Sequence, residues 1–223
     1  VNATVPHKVA LLPLVDELTP AARAIQAVNT VLFAPEHILG HNTDAEGFIR
    51  ALADEHLTPR GSHALLLGAG GAARAVAYAL ASAGATITVL NRTPERADAL
   101  VEAIRAQVPG AQLCAGPLDA ASIAHGPPPD LVVNATKVGM WPEVEDSPWP
   151  EEVAFPRQAL AFDLIYNPRE TRFMATALAA GARAVNGLRM LVYQGAAAFT
   201  LWTGIEPPAE IMLTACLQAL GGE

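Results

Sequence analysis

The sequence predicts an α/β protein in two domains: a doubly wound parallel sheet built from the middle of the chain, and a smaller α/β domain built from its flanks. Three observations predict it. Between residues 64 and 186 short apolar runs alternate with segments of helical composition, the order of an open sheet covered on both faces. One junction in that run, His63-Ala-Leu-Leu-Leu-Gly-Ala-Gly-Gly-Ala-Ala-Arg-Ala-Val-Ala-Tyr78, places glycines where a Rossmann-like sheet passes from its first strand into its first helix. The flanks, 1–47 and 188–223, are each too short to enclose a core alone, so they are expected to pack on one another. The sheet domain is then 48–187, with a cleft between it and the paired flanks.

Taken in order, Val1–Thr4 reads as a strand that ends at Pro6, a residue suited to the first turn of a helix carrying Lys8. Val28–Phe33 and His37–Gly40 read as short strands. Thr43 and Glu46 have capping-box spacing, which makes Asp44 either an ordinary first-turn acid or a site residue. In the middle unit the strands are Ala64–Leu67, Thr86–Leu90, Ala111–Cys114, Asp130–Asn134, Ala159–Leu164 and Ala182–Val185. Continuous apolar runs such as Ala64–Leu67 fit strands buried on both faces. The helices are Ala72–Ala83, stopped by Gly84, then Glu95–Gln107 and Arg169–Ala180. Pro127-Pro128-Pro129 and the acidic, proline-broken Trp141–Pro156 read as loops. Leu188–Thr203 and Pro208–Ala219 close the chain as helices.

The chemistry sits at the strand ends. Ligands of such sheets lie beyond the carboxyl ends of the strands, so Gly68, Asn91, Asn134 and the residues after Leu164 point at one crevice. Gly68, Ala69, Gly70, Gly71 and Ala72 fit a turn that sets a pyrophosphate on backbone N–H groups at a helix N-terminus. About 20 residues beyond the glycines, an NAD site places an acid on the ribose hydroxyl. This chain has Asn91-Arg92-Thr93 there, with Arg96 one turn on. An acid would repel a 2′-phosphate, whereas Arg92 and Arg96 would bind one, so the expected cofactor is NADP. The plainer reading of both arginines is a solvated helix start.

Bulk composition narrows the class. With 52% apolar and 16% charged residues the 223-residue chain is globular, and its net charge of −8 argues against nucleic acid as a partner. No apolar run is long enough for a membrane span, and the first residues lack the basic and apolar regions of a signal peptide. Cys114 and Cys216 show no metal or redox spacing, so reduced thiols in the cytoplasm are expected, and no metal. Lys8 and Lys137 are the only lysines among fourteen basic residues. Arginine stays protonated, so a lysine retained against that bias suits proton chemistry that arginine cannot perform. Gln194, flanked by Gly195, Ala196 and Ala197, reads locally as a core-edge amide, and Asn134 as a strand-end Asx turn.

The chain resembles the shikimate dehydrogenase family. The resemblance rests on Asn2-Ala-Thr-Val-Pro-His-Lys8, Ala27-Val-Asn-Thr30, Gly40-His-Asn-Thr-Asp44, Gly68-Ala-Gly-Gly-Ala72, Asn91-Arg-Thr93, Asn134-Ala-Thr136 with Gly139-Met140, Asp163-Leu-Ile-Tyr166 and Gly187-Leu-Arg-Met-Leu-Val-Tyr-Gln194. It implies a catalytic pair at Lys8 and Asp44, and substrate contacts at Thr4, Asn29, Tyr166 and Gln194. It also implies cofactor contacts at the glycine turn, at residues 91–96, and at Leu164 and Gly187 beside the nicotinamide. The implied reaction is NADPH-dependent reduction of 3-dehydroshikimate to shikimate, by a monomer or homodimer acting on a small molecule. Members carry an upstream segment with a serine-rich loop that grips the substrate carboxylate, so the resemblance implies a chain lacking that N-terminal part. Two other readings remain: a quinate/shikimate dehydrogenase of broader specificity, and a noncatalytic NADP-binding module.

Overall fold

The structure, a computed structural model, describes residues 1–4 and 7–220. The first flank builds a small sheet from β1 (Glu17–Leu18), β2 (Thr30–Phe33) and β3 (Ile38–His41), in the order β1-β3-β2. β1 runs parallel to β3, and β2 antiparallel to it. Helix α1 (Pro20–Ile25) crosses between β1 and β2. Its start is set by Thr19, whose hydroxyl accepts from the Ala22 N–H, and its end by Gln26 in the left-handed region at φ 60°. Ala22, Val28 and Val31 form the small core there, with Leu11, Leu12, Leu18 and Ile38 packed around it.

Two expectations for this flank are corrected. Residues 1–4 do not form a strand in a ladder: Val1 exchanges backbone bonds with Val31 at 2.8 Å, the Ala3 N–H donates to the Asn29 carbonyl at 2.8 Å, and only Asn2 bridges Thr30. The pairing ends because the chain turns at Thr4, whose carbonyl accepts the His7 N–H. The helix beginning at Pro6 falls partly outside the described residues. Residues 7–11 form a set of turns instead, leading into a 3-10 turn at Leu12–Leu14. Pro13 has no N–H to return to Val9, so the Val9 carbonyl is taken by Leu12 and no α-helix propagates. Lys8 therefore sits in a turn.

Helix α2 (Asp44–Asp54) leads into the second sheet. Its strands are β4 (His63–Leu67), β5 (Thr86–Asn91), β6 (Gln112–Pro117), β7 (Leu131–Asn134), β8 (Leu160–Asp163) and β9 (Arg183–Val185). All pair in parallel, in the order β6-β5-β4-β7-β8-β9. The order reverses between β4 and β7, the switch point at which such sheets open a crevice. Helices α3 (Gly71–Ser82), α4 (Pro94–Gln107), α5 (Ala120–His125) and α6 (Arg172–Ala179) connect the strands. The expected doubly wound Rossmann-like sheet and its smaller companion are both present. The short elements α1, α5 and β1 were not expected. Helix α6 starts three residues later than expected because Thr171 caps it, accepting the Met174 N–H.

Alternation along the strands explains the two covered faces. Leu66 points with Ile87, Val89, Val133 and Phe162 toward α2, α3 and α4, while Leu65 and Leu67 point with Val132 and Ala161 to the opposite side. There the proline-broken loop does a helix's work. Its Trp149 and Phe155 are buried against one another at 4.6 Å between ring centroids, and Phe155 against Phe173 at 5.8 Å. Helices α7 (Leu188–Thr203) and α8 (Ala209–Leu220) finish the chain, and α7 returns to lie against α2. Among the described residues no helix is long and apolar enough to cross a membrane.

Candidate active site

The site is built where the end of one sheet meets the start of α2. Lys8 Nζ donates to Asp44 Oδ2 at 2.6 Å, and the two side chains are only 14% and 4% exposed. Asp44 is the first residue of α2, held by the Asn42 Oδ1 that accepts its N–H at 3.0 Å. Asn42 is itself anchored by donating to the Ala27 carbonyl. The other Asp44 oxygen accepts from Asn29 Nδ2 at 2.9 Å. One ammonium proton is thus committed and two remain for a ligand.

Asn29, buried just ahead of β2, organises the rest. Its Oδ1 accepts the Thr43 N–H and the Thr30 hydroxyl, both at 2.9 Å. Its Nδ2 faces three acceptors: Asp44 Oδ1 at 2.9 Å, Thr43 Oγ1 at 3.0 Å and Gln194 Oε1 at 3.2 Å. Two N–H groups serve three acceptors, and Gln194 is the most weakly held. Gln194, on α7, turns its Oε1 toward Asn29 and Thr43 while its Nε2 donates to the Leu191 carbonyl. The structure brings Lys8, Asn29, Asp44 and Gln194 together. Thr4 is exposed and outside this network, and Tyr166 is 38% exposed with no hydrogen bond among the described residues.

The capping box at Thr43 and Glu46 does not form. Thr43 has helical backbone angles and its hydroxyl caps nothing. That hydroxyl lies instead 3.0 Å from Asn29 Nδ2 and 3.4 Å from Gln194 Oε1. Glu46 points outward to Arg50. Sequence reasoning missed Asn42 and Thr43 as parts of the site. Their signal was the polar run Gly40-His-Asn-Thr-Asp44 ahead of an apolar helix, longer than a cap needs.

Facing this network is the glycine turn. Gly68 has φ +108°, and a Cβ there would lie 3.0 Å from the Ala135 carbonyl oxygen, so only glycine suits the position. Gly70 is the N-cap of α3 with no side-chain cap, and its Cβ position meets nothing within 4 Å. The first N–H groups of α3 are left for a ligand, and Ala69, Gly71 and Ala72 flank that opening. At the end of β5, Asn91 Nδ2 bonds the Thr93 carbonyl. Arg92 and Arg96 are exposed, and neither has an ion-pair partner among the described residues. These groups fit a 2′-phosphorylated dinucleotide: open backbone donors for its pyrophosphate and uncommitted guanidinium groups for its extra phosphate.

The two halves meet at Lys8. A Cβ on Gly71 would lie 3.4 Å from Lys8 Cβ and 3.6 Å from its Cδ, so the lysine stem rests against the first residue of α3. Farther along, Gly187 presses so closely on the Leu164 backbone that a Cβ would collide with the Leu164 carbonyl. Beneath Leu164 lies Asp163, fully buried, accepting from Asn134 Nδ2 (3.0 Å), the Ile165 N–H (3.0 Å) and the Thr171 hydroxyl (2.6 Å). Burial pushes its carboxyl up to about 6, against the opposing pull of those three donors. Asn134 also makes the expected Asx turn, accepting from the Thr136 N–H and hydroxyl. A separate polar groove, lined by His56, Arg60, Asp130 and Arg183, lies at the opposite ends of the strands from this chemistry.

The geometry agrees with what the chain is similar to. Residues 1–31 match a shikimate dehydrogenase substrate binding domain, 51–120 a shikimate/quinate 5-dehydrogenase, and 187–217 a shikimate 5′-dehydrogenase C-terminal domain. The NADP(+) shikimate dehydrogenase of Moorella thermoacetica is 48% identical over 221 residues, covering 99% of this chain and 75% of that protein. The crystal structure of shikimate 5-dehydrogenase from Thermus thermophilus, in complex with NADP(H) and shikimate, superposes with a TM-score of 0.85 at 45% identity, covering 99% of this chain and 78% of that one. Quinate dehydrogenase from Corynebacterium glutamicum, in complex with NAD, gives 0.85 at 34%, covering 97% and 77%. Across sequence, fold and the order of its motifs, the chain belongs to the shikimate dehydrogenase family.

Proposed function

We propose that this chain is an NADP-dependent oxidoreductase that interconverts 3-dehydroshikimate and shikimate, with residues 1–47 and 188–223 holding the substrate and 48–187 the cofactor. The observation that carries the proposal is the buried Lys8–Asp44 pair, with its lysine stem on the first residue of α3, beside the open glycine turn. When bound, the nicotinamide supplies or takes up a hydride. In the reducing direction, negative charge develops on the ketone oxygen as the new C–H bond forms. Lys8 meets that charge with an ammonium N–H and hands over the proton, lowering the barrier. Asp44 fixes the lysine and accepts from a substrate hydroxyl.

Asn29 and Gln194 hold further hydroxyl groups, the longest contact in their network giving way to the incoming ligand. Thr4 and Tyr166 extend this grip from the exposed rim. Gly68 to Ala72 cradle the pyrophosphate, Asn91 to Arg96 the 2′-phosphate end, and Leu164 with Gly187 wall the nicotinamide. The two unpaired thiols, Cys114 and Cys216, suit a cytoplasmic setting. Following NADP+ reduction with shikimate, and separately with quinate, tests the reading. Turnover with shikimate well above quinate is expected. Comparable rates would favour a broader enzyme, and NADP+ binding without turnover of either would leave only a cofactor-binding module.

A further inference from the structure

We propose that Gly47 is a positioning residue for the substrate grip: its missing side chain lets α7 approach α2 closely enough for Gln194 to reach the site. The inference rests on the reading of Gln194 as a substrate contact. Gly47 lies one turn along α2 from Thr43, whose carbonyl accepts its N–H at 3.0 Å. Its backbone is ordinary helix, so conformational freedom does not explain the glycine. A glycine inside a helix is less favourable than alanine, so its presence here calls for a reason. What explains it is proximity.

A Cβ at this position would lie 2.8 Å from both the backbone nitrogen and the Cβ of Gln194, and 2.9 Å from the Met190 carbonyl oxygen. Met190 and Gln194 are four residues apart on α7, the spacing of one rung of its hydrogen-bond ladder. A flexible side chain would yield to a methyl group, but a helix rung does not. Relief requires α2 and α7 to separate by about half an ångström or more, given carbon contacts near 3.5–4.0 Å, and α7 is the one to give because the start of α2 is held through Asp44 by Lys8, Asn29 and Asn42. The residue that must move is the one whose amide enters the site. Gln194 Oε1 stands 3.2 Å from Asn29 Nδ2 and 3.4 Å from Thr43 Oγ1, close to the outer limit of a hydrogen bond. A retreat of that size breaks both contacts. Among the described residues Lys8, Asp44 and the glycine turn make no direct hydrogen bond to α7, and the link through Asn29 ends at the weakly held Gln194 Oε1, so they stay in place.

The test is a cycle of Gly47→Ala, Gln194→Ala and the double variant in the full chain, read as KM for shikimate, KM for NADP+, kcat and melting temperature. Gly47→Ala is expected to raise KM for shikimate about five- to tenfold, with KM for NADP+ within twofold and kcat less affected than KM. In the Gln194→Ala background, Gly47→Ala is expected to add less than twofold. A shikimate KM that rises as much in that background, or equal losses for both substrates, overturns the proposal in favour of a general packing role. Should Gln194→Ala raise KM while Gly47→Ala leaves it unchanged, Gln194 keeps its role and Gly47 loses its own. An unchanged KM in Gln194→Ala removes the reading of Gln194 and this proposal with it. If Gly47→Ala does not fold, Gln194→Asn decides: one methylene shorter, it must reproduce the KM rise, and a wild-type KM shows that reach is not limiting.

Discussion

A 2.6 Å contact between a lysine and an aspartate, both largely out of water, is the smallest unit of this molecule's chemistry. Removing the ammonium while keeping the stem that rests on Gly71 separates charge from packing. Lys8→Met is therefore expected to lower kcat about 10²- to 10⁴-fold, the usual contribution of a proton donor in the transition state. NADP+ affinity, measured by fluorescence titration, should stay within a few-fold, and unimpaired turnover would remove Lys8 from the mechanism. Asp163 makes a second residue-scale prediction. Its folded carboxyl titrates at about 6, above the unfolded value near 4, so the folded state binds the proton more tightly. Its stabilising contribution is complete below pH 4 and is lost as pH rises through 6, by about 3 kcal/mol if the full shift is realised. The groups facing it are the Asn134 amide, the Ile165 N–H and the Thr171 hydroxyl, none of which titrates in that range. Urea unfolding between pH 4 and 7 should show this loss in the parent chain and a shallower slope in Asp163→Asn. Identical slopes would mean that the carboxyl titrates as it does in water.

Elements differ in how openly the sequence announces them. Strand β4, the glycine turn and α3 are legible because three independent signals coincide there: a continuous apolar run, glycines at the turn, and an alanine-rich helix ended by Gly84. Helices α1 and α5, six residues each, are not, since so short a helix lacks the two turns that reveal an apolar face. Thr43 misleads for a different reason. Its spacing to Glu46 is that of a capping box, but the competing tertiary bonds to Asn29 and Gln194 win, and no local pattern records a partner 151 residues away. The loop over residues 141–156 is irregular, as its prolines predict, yet its role as a lid on one sheet face depends on Trp149 and Phe155 finding Phe173. Trp149 is 3% exposed and its indole N–H donates to the Val153 carbonyl. Trp149→Ala should cost about 3–5 kcal/mol, the range for deleting a buried large aromatic. Chemical denaturation measures it, and a loss below about 1 kcal/mol, the size of an ordinary surface-to-average substitution, would show that the loop merely drapes over the sheet.

Over the whole molecule, charge and function pull in opposite directions. A chain of net charge −8 repels an anionic cofactor at long range, so binding depends on where the few cations stand. Lys8 is paired to Asp44, whereas Arg92 and Arg96 project at the end of β5 with no acid to neutralise them among the described residues. A hydrogen bond to a charged group contributes about 1.5–3 kcal/mol, which sets the expected loss for Arg92→Ala at tenfold or more in NADP+ affinity. NAD+ lacks the 2′-phosphate and should lose less than twofold. The same reasoning fixes the salt dependence. Exposed charges are screened as the Debye length shrinks from about 10 Å at 0.1 M to about 3 Å at 1 M, so added salt should weaken NADP+ binding more than NAD+ binding. In Arg92→Ala that difference between the cofactors should narrow, because the local attraction that salt screens is already reduced. Equal losses for both cofactors, or a salt response that Arg92→Ala leaves intact, would mean that the 2′-phosphate is held elsewhere and that the cations at the end of β5 are only a solvated helix start.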